Sequence, residues 1–281
     1  MVVFGTPVMA GPRRWGDLAR QAEGAGFESV WVPEHLIMPV TMTGAPNTPH
    51  AGEPPISADT PAFDPWVQIA TMAAQTTTLR FGTNVYNIGL RHPFVTARAV
   101  TTVDVASGGR LEFGIGASWL SQEWQAMELP FETRGRRVDE SIGIIQRLFT
   151  EEAVEHDGEF YRFQPVGFLP KPAQRPWPPM LIGGNAAPAI RRAALLGDGW
   201  IPMQETPERL TAGLARIETM RRDAGRTGPF SVTMGARITS LDDVRRWEDV
   251  GVTRLLVTPY VSPREAPESL QRFGDEIIAR L

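Results

Sequence analysis

Residues 110–123 read RLEFGIGASWLSQE, and this stretch decides the fold. Leu111–Ile115 is a short apolar run between Gly108-Gly109 and Gly116, which is the pattern of a buried β-strand. Trp119–Met127 follows with the spacing of an amphipathic helix. Because α/β proteins commonly place ligands where a strand turns into a helix, the stretch predicts an α/β fold with a site after this strand.

The turn after this strand excludes two common motifs. Trp119 occupies the position at which a GxGxxG dinucleotide fingerprint requires its third glycine, and the turn contains no GxSxG nucleophile elbow. Gly116, Ala117 and Ser118 are nevertheless small enough for a ligand to approach the backbone closely. We therefore predict a ligand-binding turn that is neither of the Rossmann nor of the hydrolase type.

The composition restricts the class of protein. The 281 residues are 42% hydrophobic, enough for a large core, and we expect one domain spanning residues 1–281. A net charge of −4 argues against nucleic acid or an anionic membrane as the main partner. There is no cysteine, no run of 18 apolar residues and no basic region typical of a signal peptide at the start. These features predict a soluble cytoplasmic protein without disulfides or thiolate metal sites.

Strand-like and helix-like segments alternate along the chain. The predicted strands are Val2–Val8, Glu28–Val32, Leu79–Val85, Leu111–Ile115, Met180–Ile182, Gly199–Pro202, Phe230–Ala236 and Arg254–Thr258. Nearly all of them are followed by a helical segment, which indicates parallel strands joined by right-handed crossovers. Eight such units in 281 residues predict a (β/α)8 TIM barrel rather than an open sheet.

Two segments interrupt the alternation. Asp157-Gly158 predicts the turn of a hairpin between Val154–His156 and Phe160–Arg162, before the fifth predicted strand. Residues 39–65 contain seven prolines and no clear periodicity. A loop of that length inside a compact domain is commonly functional, and we predict that it is a mobile lid over the ligand.

In a (β/α)8 barrel the functional site lies at the C-terminal ends of the strands. The residues at these ends are Glu34-His35, Thr83-Asn84-Val85, Gly116-Ala117-Ser118, Gly183-Gly184-Asn185 and Pro202-Met203-Gln204. The set contains one histidine and one carboxylate, with neither the spacing of metal ligands nor the paired acids of a glycosidase. A site with so few ionisable groups indicates that a bound cofactor supplies the chemistry.

His35 is the candidate for proton transfer, because an imidazole changes charge near neutral pH. The alternative is a structural histidine that orders the long loop after it. For Glu34 three roles stay open: it orients His35, it contacts the substrate, or it pairs with an arginine.

Gly183-Gly184-Asn185 indicates a phosphate site. Asn185 is expected to cap the helix that follows, whose free N–H groups would bind the anion. The alternative is an ordinary strand-to-helix turn, which also needs glycine and a cap residue. The late position along the chain favours the phosphate site, since phosphate sites of such barrels cluster in the later loops.

Six segments together form a pattern more specific than any single motif. They are SVWVPEHL (29–36), FGTNVYNIGLRHP (81–93), SGGRLEFGIGASWLSQE (107–123), RGRRVDE (134–140), KP (171–172) and PMLIGGNAAPAIRRAALLGDGW (179–200). Taken in order, they resemble the bacterial luciferase-like monooxygenase superfamily, and within it the branch of F420-dependent oxidoreductases.

The resemblance implies a (β/α)8 barrel with an insertion before the fifth strand and a cofactor ring across the C-terminal mouth of the barrel. It implies that His35, with Glu34 beside it, serves in catalysis, and that a cis peptide bond joins Asn84 and Val85 against the ring. The expected cofactor-binding residues are Thr83, Asn84, Val85, Gly116, Ala117, Ser118, Trp119, Glu123, Gly183, Gly184 and Asn185.

The function implied by this resemblance is hydride transfer between coenzyme F420 and a small organic substrate, in a homodimer. Trp119 stands where the sugar-phosphate dehydrogenases of the group carry a glutamate, which argues against that substrate class. Two alternatives remain open. One is an FMN-dependent monooxygenase that uses reduced flavin and oxygen, and the other is a non-catalytic flavin or deazaflavin carrier in which His35 is structural.

Overall fold

The computed structural model describes residues 2–7, 11–41, 59–262 and 264–281. Its strands are β1 (Val3–Pro7), β2 (Ser29–Val32), β3 (Arg80–Thr83), β4 (Tyr86–Asn87), β5 (Leu111–Gly116), β6 (Ala153–Asp157), β7 (Arg162–Gly167), β8 (Met180–Gly183), β9 (Gly199–Ile201), β10 (Ser231–Gly235) and β11 (Arg254–Leu256). Its α-helices are α1 (Trp15–Gly24), α2 (Pro65–Ala73), α3 (Pro93–Ala106), α4 (Ser121–Ala126), α5 (Arg134–Thr150), α6 (Ala187–Leu195), α7 (Pro207–Asp223), α8 (Leu241–Asp249) and α9 (Ala266–Glu276). Most of the predicted lid, residues 42–58, lies outside the described residues, so the lid stays a prediction.

Eight parallel strands close into a barrel. Their order around it is β3, β2, β1, β11, β10, β9, β8 and β5, and β5 pairs back onto β3 to complete the circle. In this closing pair Phe81 lies opposite Leu111, and Gly82 lies opposite Glu112. A helix stands between most consecutive barrel strands, as right-handed crossovers require. The predicted (β/α)8 barrel is thus confirmed.

The third barrel strand is interrupted near its C-terminal end. The sequence predicts one strand over Leu79–Val85, but β3 ends at Thr83 and the chain continues through a cis peptide bond between Asn84 and Val85. Pairing resumes in β4, where Tyr86 lies opposite Ile115 of β5. The predicted continuous strand is therefore wrong, and the predicted cis bond is confirmed.

The predicted hairpin is present as β6 and β7, an antiparallel pair inserted before β8, the fifth barrel strand. Its return strand begins at Arg162 rather than at Phe160. The reason lies in α5, where the Glu140 carboxylate accepts hydrogen bonds from the backbone N–H groups of Phe160 and Tyr161. Because these donors serve the helix, they are not available to the hairpin ladder, and the connecting loop is longer than predicted.

The barrel interior is filled by large side chains near the C-terminal end. Trp31, Leu181, Ile201 and Leu256 form a buried cluster of their own, and the half-buried Val85 packs on it. A second and larger hydrophobic cluster, which includes most of the other buried apolar side chains of strands and helices, forms the main part of the core. The interior is therefore a packed core, and any ligand must lie above Val85 rather than inside the barrel.

The N-terminal end of the barrel is closed by charged side chains, which we call the base cluster: Glu28, Arg80, Glu112 and Arg254. Arg254 donates to both oxygens of Glu112, at 2.6 and 2.7 Å, and to both oxygens of Glu28, each at 2.9 Å. Arg80 adds a bond to Glu112 at 3.1 Å. Burial would lower the pKa of Arg254, but the two carboxylates outweigh burial and raise it.

In the described ranges, we find no helix with both the length and the apolar content needed to cross a membrane.

Candidate active site

His35 lies three residues after β2, at the C-terminal end of the barrel. Its Nδ1 atom is 3.3 Å from Oε2 of Glu123, the third residue of α4. The Glu123 side chain is fully buried, whereas that of His35 is 13% exposed. The indole ring of Trp119 meets the imidazole edge-on, with 5.9 Å between the ring centroids. The connections after β2 and β5 thus bring together His35, Trp119 and Glu123, three residues that were predicted for the site from the sequence.

Both oxygens of the Glu34 carboxylate accept hydrogen bonds from residues other than His35. Its Oε2 accepts a hydrogen bond from the backbone N–H of Asn87 at 2.9 Å, and its Oε1 accepts one from the guanidinium of Arg91 at 2.6 Å. Burial raises the pKa of Glu34, against the opposing effect of Arg91. Of the three roles considered for Glu34, the structure shows the arginine pair, and the carboxylate that contacts His35 belongs to Glu123.

Val85 forms a central apolar feature of the mouth. A Cβ atom placed on Gly116 would lie 2.4 Å from Cγ2 of Val85, and one placed on Gly183 would lie 2.8 Å from its Cγ1. The two methyl groups therefore occupy space that exists only because β5 and β8 end in glycine. We call this arrangement the Val85 seat, defined by Val85, Gly116 and Gly183.

Among the residues that the structure describes, three loops at this end of the barrel contain a residue in the left-handed region. These are Ser118 after β5 (φ 64°), Gly184 after β8 (φ 110°) and Gln204 after β9 (φ 44°). The Ser118 hydroxyl accepts a hydrogen bond from the N–H of Leu120 at 3.2 Å. As a result α4 begins at Ser121, not at Trp119 as predicted. Uncommon backbone conformations of this kind concentrate at functional sites.

The remaining predicted residues of β3 and β5 differ in exposure. Thr83 is fully buried, and its hydroxyl donates to the carbonyl oxygen of Gly114 at 2.7 Å. Asn84 is exposed, and Ala117 is half-buried. Thr83 therefore ties β3 to β5 beneath the mouth, while Asn84 and Ala117 reach the surface.

Asn185 does not cap the helix that follows it. Its side chain instead makes two hydrogen bonds to the backbone of Met203, donating to the carbonyl oxygen at 2.6 Å and accepting from the N–H at 2.8 Å. The N-cap of α6 is Ala186, which offers no side-chain acceptor. The predicted cap is therefore wrong. The N-terminus of α6 is left without a side-chain partner, as an anion site requires.

Arg91 is a residue of this site that sequence reasoning missed. It lies in the FGTNVYNIGLRHP segment, which contributed to the family resemblance without pointing to Arg91. Its guanidinium pairs with Glu34 and lies over the ring of Tyr86, 4.4 Å from the centroid. The signal was available in Glu34, since a carboxylate at the end of a buried strand requires a donor or a cation nearby.

The geometry fits a cofactor with an aromatic ring and a phosphate. The Val85 seat offers an apolar surface for a ring face, and the open N-terminus of α6 begins at Ala187, four residues after Gly183. Among the residues that the structure describes, no three His, Asp or Glu side chains are arranged to hold a metal ion.

Comparison with known proteins adds the family. The family model described as luciferase-like monooxygenase matches residues 3–268. An uncharacterised protein of Mycobacterium tuberculosis is 33% identical over 275 residues, which cover 94% of each chain. An F420-dependent glucose-6-phosphate dehydrogenase of Nakamurella multipartita is 29% identical over 279 residues, covering 95% of this chain and 76% of the relative.

Solved structures show the same fold at lower identity. The F420-dependent tetrahydromethanopterin reductase of Methanopyrus kandleri superimposes with a TM-score of 0.80 at 16% identity, covering 99% of both chains. The monooxygenase RslO1 of Streptomyces bottropensis superimposes with a TM-score of 0.79 at 20% identity, again covering 99% of both chains. At these identities the likeness concerns the fold alone.

Proposed function

The chain belongs to the luciferase-like monooxygenase family, and from this premise we propose that it is an oxidoreductase that transfers a hydride between coenzyme F420 and a small organic substrate. The mouth of the barrel supports this proposal, because it combines an apolar seat, an uncapped helix N-terminus and one half-buried histidine. Few other ionisable groups lie at the strand ends, so the chemistry of the reaction would come from the bound cofactor.

The residues that would hold the cofactor are those of the mouth loops. The Val85 seat would support the ring, and the backbone N–H groups of Asn185, Ala186 and Ala187 at the start of α6 would bind the phosphate. The N–H of Gly184 donates to the carbonyl oxygen of Ile201, and Pro188 has no N–H to offer. Asn185 would keep these loops in place through its two bonds to Met203. When bound, F420 would supply or accept the hydride.

His35 would move the proton that accompanies the hydride. Oxidation of an alcohol to a carbonyl removes a hydride from carbon and a proton from oxygen, and reduction of a carbonyl requires both. The imidazole of His35 is half-buried in the mouth, and an imidazole can serve as either the acceptor or the donor of that proton. The Trp119 indole beside His35 would form an apolar wall of the substrate site. We therefore propose an uncharged organic substrate and not a sugar phosphate.

One observation carries the choice of cofactor. The F420-dependent dehydrogenase of Nakamurella multipartita is 29% identical to this chain and covers 95% of it. The second candidate is an FMN-dependent monooxygenase, and it is supported by the fold of a monooxygenase that superimposes as well as that of the F420-dependent reductase.

The test is titration of the purified protein with F420 and with FMN, followed by fluorescence. We expect tighter binding of F420, and turnover that needs no oxygen. Tighter binding of FMN, or turnover that requires reduced FMN and oxygen, would replace the proposal by the monooxygenase. Binding of F420 without turnover of alcohols or carbonyl compounds, in a protein whose His35→Ala variant behaves like the wild type, would identify a carrier.

A further inference from the structure

Glu123 is placed as a partner of the His35 loop. Its Oε1 accepts a hydrogen bond from the backbone N–H of Leu36 at 2.6 Å, and its Oε2 lies 3.3 Å from Nδ1 of His35. The side chain is fully buried, and each oxygen already has a partner. The contacts that Glu123 makes in the structure are therefore with the His35 loop, whereas the resemblance predicted it as a cofactor ligand, and that role stays a prediction.

The contact with His35 constrains the position of its proton. A carboxylate only accepts hydrogen bonds, so the nitrogen that faces it must carry the hydrogen. A neutral imidazole has one N–H and one lone pair, and a hydrogen on Nδ1 leaves the lone pair on Nε2. The Leu36 N–H bond holds the carboxylate in position, because it fixes the other oxygen.

We infer that Glu123 is a positioning residue, which holds His35 in the Nδ1–H tautomer so that Nε2 exchanges the proton with the substrate. The inference about exchange rests on the function proposed above, whereas the tautomer does not. Glu34 does not share this role, since Arg91 and the N–H of Asn87 occupy its two oxygens. The two buried glutamates of the mouth therefore act on different parts of the loop. Glu34 anchors its start, and Glu123 orients the imidazole.

The variant Glu123→Gln tests the inference directly. Its amide oxygen can still accept from the Leu36 N–H, and the amide NH₂ group then faces Nδ1 of His35. Because NH₂ is a donor, Nδ1 must become the acceptor and the imidazole hydrogen must move to Nε2. The variant preserves the shape of the side chain and reverses the tautomer.

The primary measurement is ¹⁵N NMR of the imidazole groups in the protein without cofactor, with the His35 signals assigned from a His35→Ala variant. We expect the Nδ1–H form in the wild type and the Nε2–H form in Glu123→Gln. An Nε2–H form in the wild type would overturn the inference, and so would an unchanged tautomer in the variant. If the variant does not fold, the wild-type spectrum alone decides.

A second measurement separates positioning from cofactor binding. We expect kcat of Glu123→Gln to fall by about 100-fold, while the Kd of the cofactor changes by less than about 3-fold. A large rise in Kd with an unchanged tautomer would show that Glu123 is a cofactor ligand after all. The matched control is Glu112→Gln in the base cluster, which removes another buried carboxylate and should leave the His35 tautomer unchanged. Because the NMR experiment needs neither cofactor nor substrate, its failure is distinguishable from a failure of the F420 proposal.

Discussion

The two ends of the barrel both bury carboxylates, but they satisfy them differently. At the N-terminal end, the half-buried Glu28 and the buried Glu112 receive hydrogen bonds from guanidinium groups, from Arg254 in both cases and also from Arg80 in the case of Glu112. At the C-terminal end, Glu34 and Glu123 each accept one bond from a backbone N–H group. Their second partners are Arg91 for Glu34 and the half-buried His35 for Glu123.

This difference indicates that the ion pairs that stabilise the barrel lie at one end, and that the candidate catalytic group lies at the other. In the base cluster each carboxylate oxygen accepts a hydrogen bond from the Arg254 guanidinium, which only donates, so the cluster is built from ion pairs alone. In the mouth one partner is an imidazole that keeps a second nitrogen. The mouth also contains the Val85 seat, which a side chain on either glycine would disturb. The predictions below test this division, from the largest expected effect to the smallest.

Removal of the His35 imidazole should abolish most of the activity, whereas the free energy of unfolding should change little. For His35→Ala we expect kcat to fall by about 10²- to 10⁴-fold, the usual contribution of general acid–base catalysis, with cofactor affinity retained. Steady-state kinetics and cofactor titration provide the measurement. His156→Ala, on the β6–β7 hairpin, is the matched control and should keep full activity. Full activity in His35→Ala would show that the histidine is structural.

Removal of Arg254, the central arginine of the base cluster, should instead act mainly on stability. Arg254→Met removes the cation that bonds both oxygens of Glu28 and of Glu112 and leaves them only Arg80 of the base cluster, and we expect the free energy of unfolding to fall by about 3–5 kcal/mol. Urea denaturation measures this loss. In the control Arg245→Met, an exposed pair with Asp242 is removed, and the loss should be below about 1 kcal/mol. Equal losses in the two variants would contradict the division between the ends.

The Val85 seat predicts a steric effect at the mouth. In Gly116→Ala the new methyl group meets Cγ2 of Val85 at 2.4 Å, and the other methyl group of Val85 already occupies the space where a side chain on Gly183 would stand. We expect a loss of about 1–3 kcal/mol in unfolding free energy, together with weaker cofactor binding. Gly143→Ala in α5 is the control, because a Cβ there meets nothing within 4 Å and should stabilise the helix by about 1 kcal/mol. Unchanged stability and cofactor affinity in Gly116→Ala would show that the Val85 seat does not support the cofactor ring.

The smallest effect concerns pH and lies at the N-terminal side of β3. Oε1 of Glu23 accepts bonds from the N–H groups of Thr77, Thr78 and Leu79 and from the Thr78 hydroxyl. Burial would raise the pKa of Glu23, but these bonds outweigh it and lower the pKa from 4.5 to about 2. A lowered pKa stabilises the folded state above the unfolded value, and this contribution is lost as the pH falls from about 4.5 towards 2.

Glu23→Gln tests the pH effect. We expect the variant to be less stable than the wild type at neutral pH, and the difference to shrink as the pH approaches 2. Denaturation curves along this pH series provide the measurement. A difference that stays constant with pH would mean that the charge of Glu23 contributes nothing.

The sequence was a good guide to the elements and a poor guide to their ends. Apolar runs and helical spacing predicted the eight barrel strands, because both patterns are local and repeat along the chain. The predicted start of α4 and the predicted start of the hairpin's return strand were wrong. In each place a hydrogen bond, from Leu120 to Ser118 and from Phe160 to Glu140, decided the boundary. Such bonds depend on how one turn folds or on which helix packs against it.

The residues of the mouth divide in the same way. The sequence by itself determined the fold class and placed His35, Val85, Gly116 and Gly183 at strand ends, since strand order and residue type are properties of the chain. Only the tertiary structure decided the partners. Glu123 is 88 residues from His35, and Arg91 is 57 residues from Glu34. Asn185 binds Met203 across 18 residues instead of capping its own helix. Spacing along a chain cannot reveal such pairs, because the closure of the barrel brings loops from different strands to one end, and the hydrogen-bonding needs of the buried groups then select among the neighbours.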